Sequence, residues 1–251
     1  MDVINENDHM KKFSKHVLLT GGGGALGHSI IKHLLSETSS YLTVLTRDPN
    51  KLTAQYSQDE LLRINVLKAD FCNPDSLYQI IPSILNKNID VLINNAGINL
   101  ATDPLQMTCE QIQETLNINF IAPFITAQLV SNHMLQKKIK GCIINIASIK
   151  GHEASSDIGY GASKAALIQM TKTFAKRLAK ENISVNAIAP GVLEHTSQLM
   201  PQDKKNKYLD LTASGRFSRP SDVANLILFL INDVSQSING QCINIDNGYK
   251  I

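Results

Sequence analysis

Thr20-Gly21-Gly22-Gly23-Gly24-Ala25-Leu26-Gly27 joins the apolar run Val17–Thr20 to the amphipathic stretch Ile30-Ile31-Lys32-His33-Leu34-Leu35. A strand, a glycine turn and a helix in that order is the context in which backbone amides at a helix start can face a pyrophosphate, because glycine lets the chain approach closely and the helix dipole favours negative charge. Two registers fit. Gly22, Gly24 and Gly27 match G-x-G-x-x-G, while Thr20, Gly21, Ala25 and Gly27 match T-G-x-x-x-A/G-x-G. The second is preferred because later motifs agree with it.

Working outward, short aliphatic runs recur, each followed by a longer helical stretch, which is the pattern of a parallel sheet covered by helices on both faces. Seven strands are predicted near Val17–Thr20, Leu42–Thr46, Arg63–Lys68, Val91–Asn94, Cys142–Ala147, Ser184–Ala189 and Cys242–Ile245. Most are continuously apolar, as buried parallel strands are. Between Tyr160 and Lys180, Leu167, Met170, Phe174 and Leu178 recur at three- and four-residue steps, which predicts a helix with one buried stripe. The segment Glu194–Gly215, containing Pro201-Gln202-Asp203-Lys204-Lys205-Asn206-Lys207, is the least core-like and reads as a flap over a pocket or as a solvated loop.

The bulk numbers exclude several classes. With 24 Lys+Arg against 22 Asp+Glu, the net charge of +2 offers no extended basic face for nucleic acid. Cys72, Cys109, Cys142 and Cys242 lack C-x-x-C spacing, so no zinc cluster or disulfide framework is expected and buried free thiols are. No apolar stretch reaches membrane-helix length and Met1–His16 is too polar for a signal peptide, which points to a cytoplasmic protein without a membrane partner. Met10-Lys11-Lys12 reads as a second start, so residues 1–14 are expected to form a flexible N-terminal extension and residues 15–251 one undivided domain.

Tyr160-Gly161-Ala162-Ser163-Lys164 carries the chemistry. Residues four apart on a helix share a face, so the Lys164 ammonium can stand beside the Tyr160 hydroxyl. Bringing a phenol from about pH 10 to neutrality asks for roughly 4 kcal/mol, which a charge about 4 Å away at an effective dielectric of about 20 supplies. Ser148 ends the run Ile144-Asn145-Ile146-Ala147 and should emerge at the C-terminal edge of the fifth strand.

Taken in order, the glycine loop, Asn94-Asn95-Ala96-Gly97, Asn119 within Asn117-Ile118-Asn119-Phe120, Ser148 and Tyr160-x-x-x-Lys164 resemble the short-chain dehydrogenase/reductase family from about residue 15 to the end. Arg216-Phe217-Ser218-Arg219-Pro220 resembles a stretch of its 3-oxoacyl-carrier-protein reductase branch. The resemblance implies a single Rossmann-fold α/β domain with a doubly wound, seven-stranded parallel sheet. It implies hydride transfer between a nicotinamide and a small carbonyl or alcohol substrate, with Tyr160 as general acid/base. Ser148 would orient the carbonyl, Lys164 would lower the tyrosine pKa and bind ribose, and Asn119 would anchor a proton-relay water. Cofactor contacts are implied for Thr20, Gly21, Gly23, Gly24, Ala25, Leu26, Gly27, Asp70, Phe71, Asn95, Ala96, Gly97, Tyr160, Lys164, Pro190, Gly191 and Leu193. The last strand and tail, Gly240–Tyr249, imply a homotetramer or homodimer. One departure stands out: where many members have Thr four residues after Gly191, this chain has His195, which reads as a surface histidine unless it faces substrate.

At the end of the second strand, where an acidic side chain would hold the adenosine ribose of NAD, the chain has Thr46 and then Arg47. The missing carboxylate and the adjacent guanidinium favour a 2′-phosphate, so NADP(H) is preferred, with NAD(H) as the alternative.

Overall fold

A computed structural model describes residues 13–250. The expected N-terminal extension lies outside the described residues as far as residue 12. Phe13 and Ser14, also assigned to it, are instead tied down: Phe13 packs against the core and its carbonyl accepts from Ser39 N–H at 3.0 Å, while the Ser14 hydroxyl donates to Ser39 O at 3.1 Å.

Seven parallel strands form one sheet: β1 (His16–Thr20), β2 (Tyr41–Thr46), β3 (Ile64–Lys68), β4 (Val91–Asn94), β5 (Cys142–Ile146), β6 (Ser184–Pro190) and β7 (Cys242–Ile245), in the order β3-β2-β1-β4-β5-β6-β7. Helices α1 (Ala25–Glu37), α2 (Pro49–Thr53), α3 (Gln58–Leu61), α4 (Leu77–Ile84), α5 (Cys109–Leu116), α6 (Ala122–Lys137), α7 (Ile158–Leu178), α8 (Glu194–Ser197), α9 (Gln202–Asp210) and α10 (Pro220–Leu230) connect them. The doubly wound, seven-stranded Rossmann fold expected from the sequence is therefore present. None of the described helices is long and apolar enough to cross a membrane.

Alternation along the strands sorts the core into two layers. Val17, Leu19, Val44, Ile93 and Ile144 pack under α1 and α10, with Ile30, Ile31, Leu34, Val223 and Ile227. Leu18, Leu45, Leu92, Ile143 and Val185 face the other way, against Ile81 of α4, Ile125 and Val130 of α6, and Leu167 and Met170 of α7. Because both faces of the inner strands are buried, both parities there are largely apolar, which explains the unbroken runs in the sequence, whereas the edge strands β3 and β7 expose Asn65, Lys68 and Asn244.

The chain winds outward from β1 to β3 and returns to place β4 beside β1, with Thr20 paired to Asn94. The reversal leaves a crevice at the C-terminal ends of β1 and β4, where open α/β sheets take their ligands. Two glycines there do different things. Gly21 has φ +76°, and a Cβ on it would meet Ala96 Cα at 2.6 Å, so close packing of the two loops demands glycine. Gly24 is exposed and a Cβ there would meet nothing within 4 Å.

Gly21→Ala should therefore lower stability by about 3 kcal/mol through left-handed strain and overpacking, a fall in melting temperature of roughly 10 °C. Gly24→Ala should stay within about 2 °C of the parent. Thermal melts of the two variants separate a packing requirement from an open position.

Candidate active site

The C-terminal edge of the sheet bounds a cleft of about 840 Å³, within the range of about 300–1,000 Å³ usual for small-molecule and cofactor sites. Gly21, Gly23, Gly24, Ala25, Leu26 and Gly27 form one wall. There α1 begins at Gly24 with no side-chain cap and no acidic residue in its first turn. Its leading amides are thus unclaimed by any side chain and suit an anion. Arg47, Asp70, Phe71, Asn95, Ala96, Gly97, Ser148, Tyr160, Lys164, Pro190, Gly191 and Leu193 line the same cleft.

Thr20, expected to contact the cofactor, and Asn119, expected to anchor a relay water, both sit behind the lining of the cleft. Thr20 is buried, and its Oγ1 accepts the Asn95 and Ala96 N–H groups, each at 3.1 Å. Asn119 is 0 % exposed. Its Nδ2 donates to Ile98 O at 2.9 Å and Ser163 Oγ at 3.1 Å, and its Oδ1 accepts Ile98 N–H at 2.8 Å. It nonetheless sits close to the lysine: Asn119 Oδ1 and Lys164 Nζ lie 3.3 and 3.4 Å from the point a Gly97 Cβ would occupy. Asn119 lies in a π turn, Asn117–Ile121, between α5 and α6. Pro123 has no N–H, so the bond an α-helix would send to the Asn119 carbonyl cannot form.

Ser148 follows β5 and its Oγ accepts Lys150 N–H at 3.2 Å, opening a single helical turn. Tyr160 enters one turn into α7, where its N–H donates to the Asp157 N-cap at 2.9 Å. A Cβ on Gly151 would strike the Lys164 backbone carbonyl carbon at 2.9 Å, so the Ser148–Gly151 turn is pressed against α7 and brings the serine toward Tyr160.

The electrostatic expectation needs correcting. Burial raises the Tyr160 phenol above its ordinary value; the Ser148 hydrogen bond draws it down and the Asp157 charge pushes it up again. Lys164 is fully enclosed, 4 % exposed, and its Nζ donates to Ile146 O at 2.8 Å and stands 5.7 Å from the Tyr160 ring centre. Desolvation lowers its own pKa to about 8. The sequence argument supplied a nearby charge and omitted the cost of burying it.

His195 is not an ordinary surface residue. It lines the cleft half-buried, with Nδ1 buried and without a hydrogen-bond partner and Nε2 3.3 Å from Thr196 Oγ1, and burial lowers its pKa. The cleft also includes Lys51, Lys150, Lys204 and Tyr208, none of which the sequence reading singled out. Lys204 and Tyr208 share the i, i+4 spacing of one helix face, in a segment too polar to show an apolar stripe. Among the cysteines, only Cys142 is buried; Cys72 and Cys242 are half-buried and Cys109 is exposed.

A family model described as short chain dehydrogenase matches residues 15–207. The chain is 33% identical to 3-oxoacyl-(acyl-carrier-protein) reductase of Thermotoga maritima over 250 residues, covering 96% of this chain and 100% of that one. Among solved structures, 4-hydroxyisoleucine dehydrogenase complexed with NADH superimposes with a TM-score of 0.87 at 30% identity, covering 94% of this chain and 98% of the other. A structure from Agrobacterium tumefaciens with bound NADP gives a TM-score of 0.85 at 27% identity, covering 94% and 96%. Matched by the family model over residues 15–207 and by its relatives along nearly its whole length, the chain belongs to the short-chain dehydrogenase/reductase family of oxidoreductases.

Proposed function

We propose that residues 15–251 form one catalytic domain that transfers hydride between NADP(H) and a ketone or secondary alcohol, a 3-oxoacyl thioester among the candidates. The observation that carries this reading is that Ser148, Tyr160 and Lys164 share one cleft with the uncapped start of α1. When bound, the nicotinamide gives or accepts the hydride. Tyr160 gives its phenolic proton to the carbonyl oxygen in reduction and takes it back in oxidation, while the Ser148 hydroxyl orients that oxygen. Lys164 holds the nicotinamide ribose, and Asn119 fixes the Ile98 loop and the lysine's surroundings. The amides of the glycine loop hold the pyrophosphate. Asp70 and Phe71 border the adenine, and Gly97, Pro190, Gly191 and Leu193 border the nicotinamide half.

Support for NADP(H) comes from the end of β2. Thr46 is buried there, and Arg47 is exposed at the cleft with Lys51 beside it. Neither cation pairs with a carboxylate among the described residues. NAD(H) is the second reading, favoured by Asp48, which lines the same end of the cleft and whose Oδ1 caps α2 by accepting Lys51 N–H at 2.9 Å. The similarity to the T. maritima reductase supports the thioester as one candidate substrate. We place the protein in the cytoplasm, as a homotetramer or homodimer joined through the β7 edge and the tail behind it.

Three measurements test the reading. Tyr160→Phe should cut reduction by about a thousandfold or more while NADPH still binds; unimpaired turnover would remove the proposed acid. Arg47→Asp should weaken NADPH binding at least about tenfold, by loss of a charge-assisted pair of about 1.4 kcal/mol or more, and NADH binding less; an unchanged NADPH affinity would overturn the phosphate assignment. The third concerns pH. Because the folded pKa of Lys164 is lowered to about 8 from 10.5, the unfolded chain holds a proton that the folded chain has released throughout that window, so this group makes folding more favourable as pH rises through it. Lys164→Met removes the effect, so the variant's melting temperature relative to the parent, both free of dinucleotide, should fall by about 5–10 °C between about pH 7 and about pH 10.5. A pH-independent difference would contradict the buried-lysine assignment.

A further inference from the structure

The acids that line the cleft are confined to one end, which they share with Arg47 and Lys51. These acids, Asp48 and Asp70, follow β2 and β3, at the end assigned to the adenosine. Near Ser148 and Tyr160 the charged lining residues are lysines: Lys150, Lys164 and Lys204.

Lys164 is engaged with Ile146 O and the proposed ribose contact, which leaves Lys150 and Lys204. Lys150 is half-buried, two residues beyond Ser148, with its Nζ 5.7 Å from the Tyr208 ring centre and 5.4 Å from that of Tyr249. Lys204 precedes Tyr208 by one helical turn on α9, so the two share the face that lines the cleft. Lys150 and the face of α9 that carries Lys204 therefore meet at Tyr208 from different elements of the fold. Nearby negative charge does not cancel the two lysines. Glu153 is the counter-ion of Lys150 but is shared with Lys250, so that cluster retains one positive charge. Lys204 forms no ion pair among the described residues.

We infer that the substrate is a short oxo or hydroxy acid, whose carboxylate is held by Lys204 and Lys150 while Ser148 and Tyr160 hold the carbonyl or alcohol. This rests on the reductase reading above and narrows it. The phosphate of a pantetheine thioester is a second source of negative charge. It lies at the far end of a long arm, whereas Lys150 stands two residues from Ser148 and is joined to it by its backbone N–H at 3.2 Å from Ser148 Oγ, so the carboxylate is favoured. The reaction balances as oxo acid, reduced nicotinamide and one proton giving hydroxy acid and oxidised nicotinamide.

The test compares kcat/KM for oxo acids of roughly three to six carbons with their methyl esters, using NADPH and NADH. An N-acetylcysteamine thioester and the matching phosphopantetheine thioester form a second pair. The wild-type enzyme should favour acid over ester by about tenfold or more. That preference should fall below about threefold in Lys204→Gln and be retained in Lys204→Arg, since a rim charge acts through sign rather than shape. Equal efficiency toward acid and ester, or an undiminished preference in Lys204→Gln, would overturn the carboxylate assignment and leave the reductase reading standing. So would a preference for the phosphopantetheine thioester over its neutral counterpart with no preference among the acids. Failure to reduce any of these carbonyls with either dinucleotide would overturn both readings together.

Discussion

A buried pair of amides governs the arrangement of this molecule. Asn94, the last residue of β4, donates through Nδ2 to Asn145 Oδ1 at 2.9 Å and accepts the Thr126 hydroxyl of α6 at 2.6 Å. Asn145 in turn donates to the Thr171 hydroxyl of α7 at 2.9 Å. All four side chains are buried, where an unpaired polar group costs about 1–3 kcal/mol. Sliding either helix by a turn would strand several of them at once. The pairing therefore fixes both helices lengthwise on the sheet, and with α7 it fixes Lys164, two turns before Thr171, under the carbonyl of Ile146. The chemistry at the strand ends depends on a polar ladder that never meets the ligand.

The same division between surface and support recurs around the cleft. Thr20 and Asn95 cross-link the β1 and β4 loops, with Asn95 Nδ2 donating to Gly21 O at 2.7 Å and Thr20 O at 3.2 Å. Asn119 performs the same service between Ile98 and Ser163. Residues with usable chemistry, Ser148, Tyr160 and Lys164, are thus presented by groups whose own hydrogen-bonding capacity is already spent. A lysine enclosed without a carboxylate partner is the costly element, and its lowered pKa is the measure of that cost. Local polar satisfaction elsewhere is what allows the fold to tolerate it.

Much of this could be read in one dimension. All seven strands fall within a residue of where apolar runs place them, because helices on both sides leave the inner strands few solvent-facing positions to mark with polarity. The glycine loop and Tyr160-x-x-x-Lys164 were visible because each motif lies within a single local unit. What escaped depends on distant packing. The direction of the Tyr160 shift follows from burial, which no spacing reveals. The π turn at Asn119 and the concealment of Thr20 need the neighbouring loops in place. Helix α9 was missed for a different reason: Gln202–Asp210 is polar almost all round, so it shows no apolar periodicity although Tyr208 faces the cleft.

That helix lies in the segment read from the sequence as a flap or a solvated loop, and it lines the cleft through Lys204 and Tyr208. Its segment is anchored at both ends. At the start, Leu193 pairs with Ser218 and Glu194 N–H donates to Ser218 O at 2.8 Å. At the far end, Thr212 pairs with Tyr249, Ala213 N–H donates to Gly248 O at 3.0 Å and Lys250 N–H donates to Leu211 O at 2.8 Å. The rings of Tyr208 and Tyr249 stand 5.9 Å apart, with Lys150 beside both. These ties hold both ends of the segment beside the cleft that Ser148 and Tyr160 line. The stretch between the anchors, including the exposed Leu199 and Lys204, has few such bonds. Because the C-terminal tail supplies the far anchor and also carries Lys250 to Glu153, the geometry of this segment and the charge beside Lys150 are set by the same few residues.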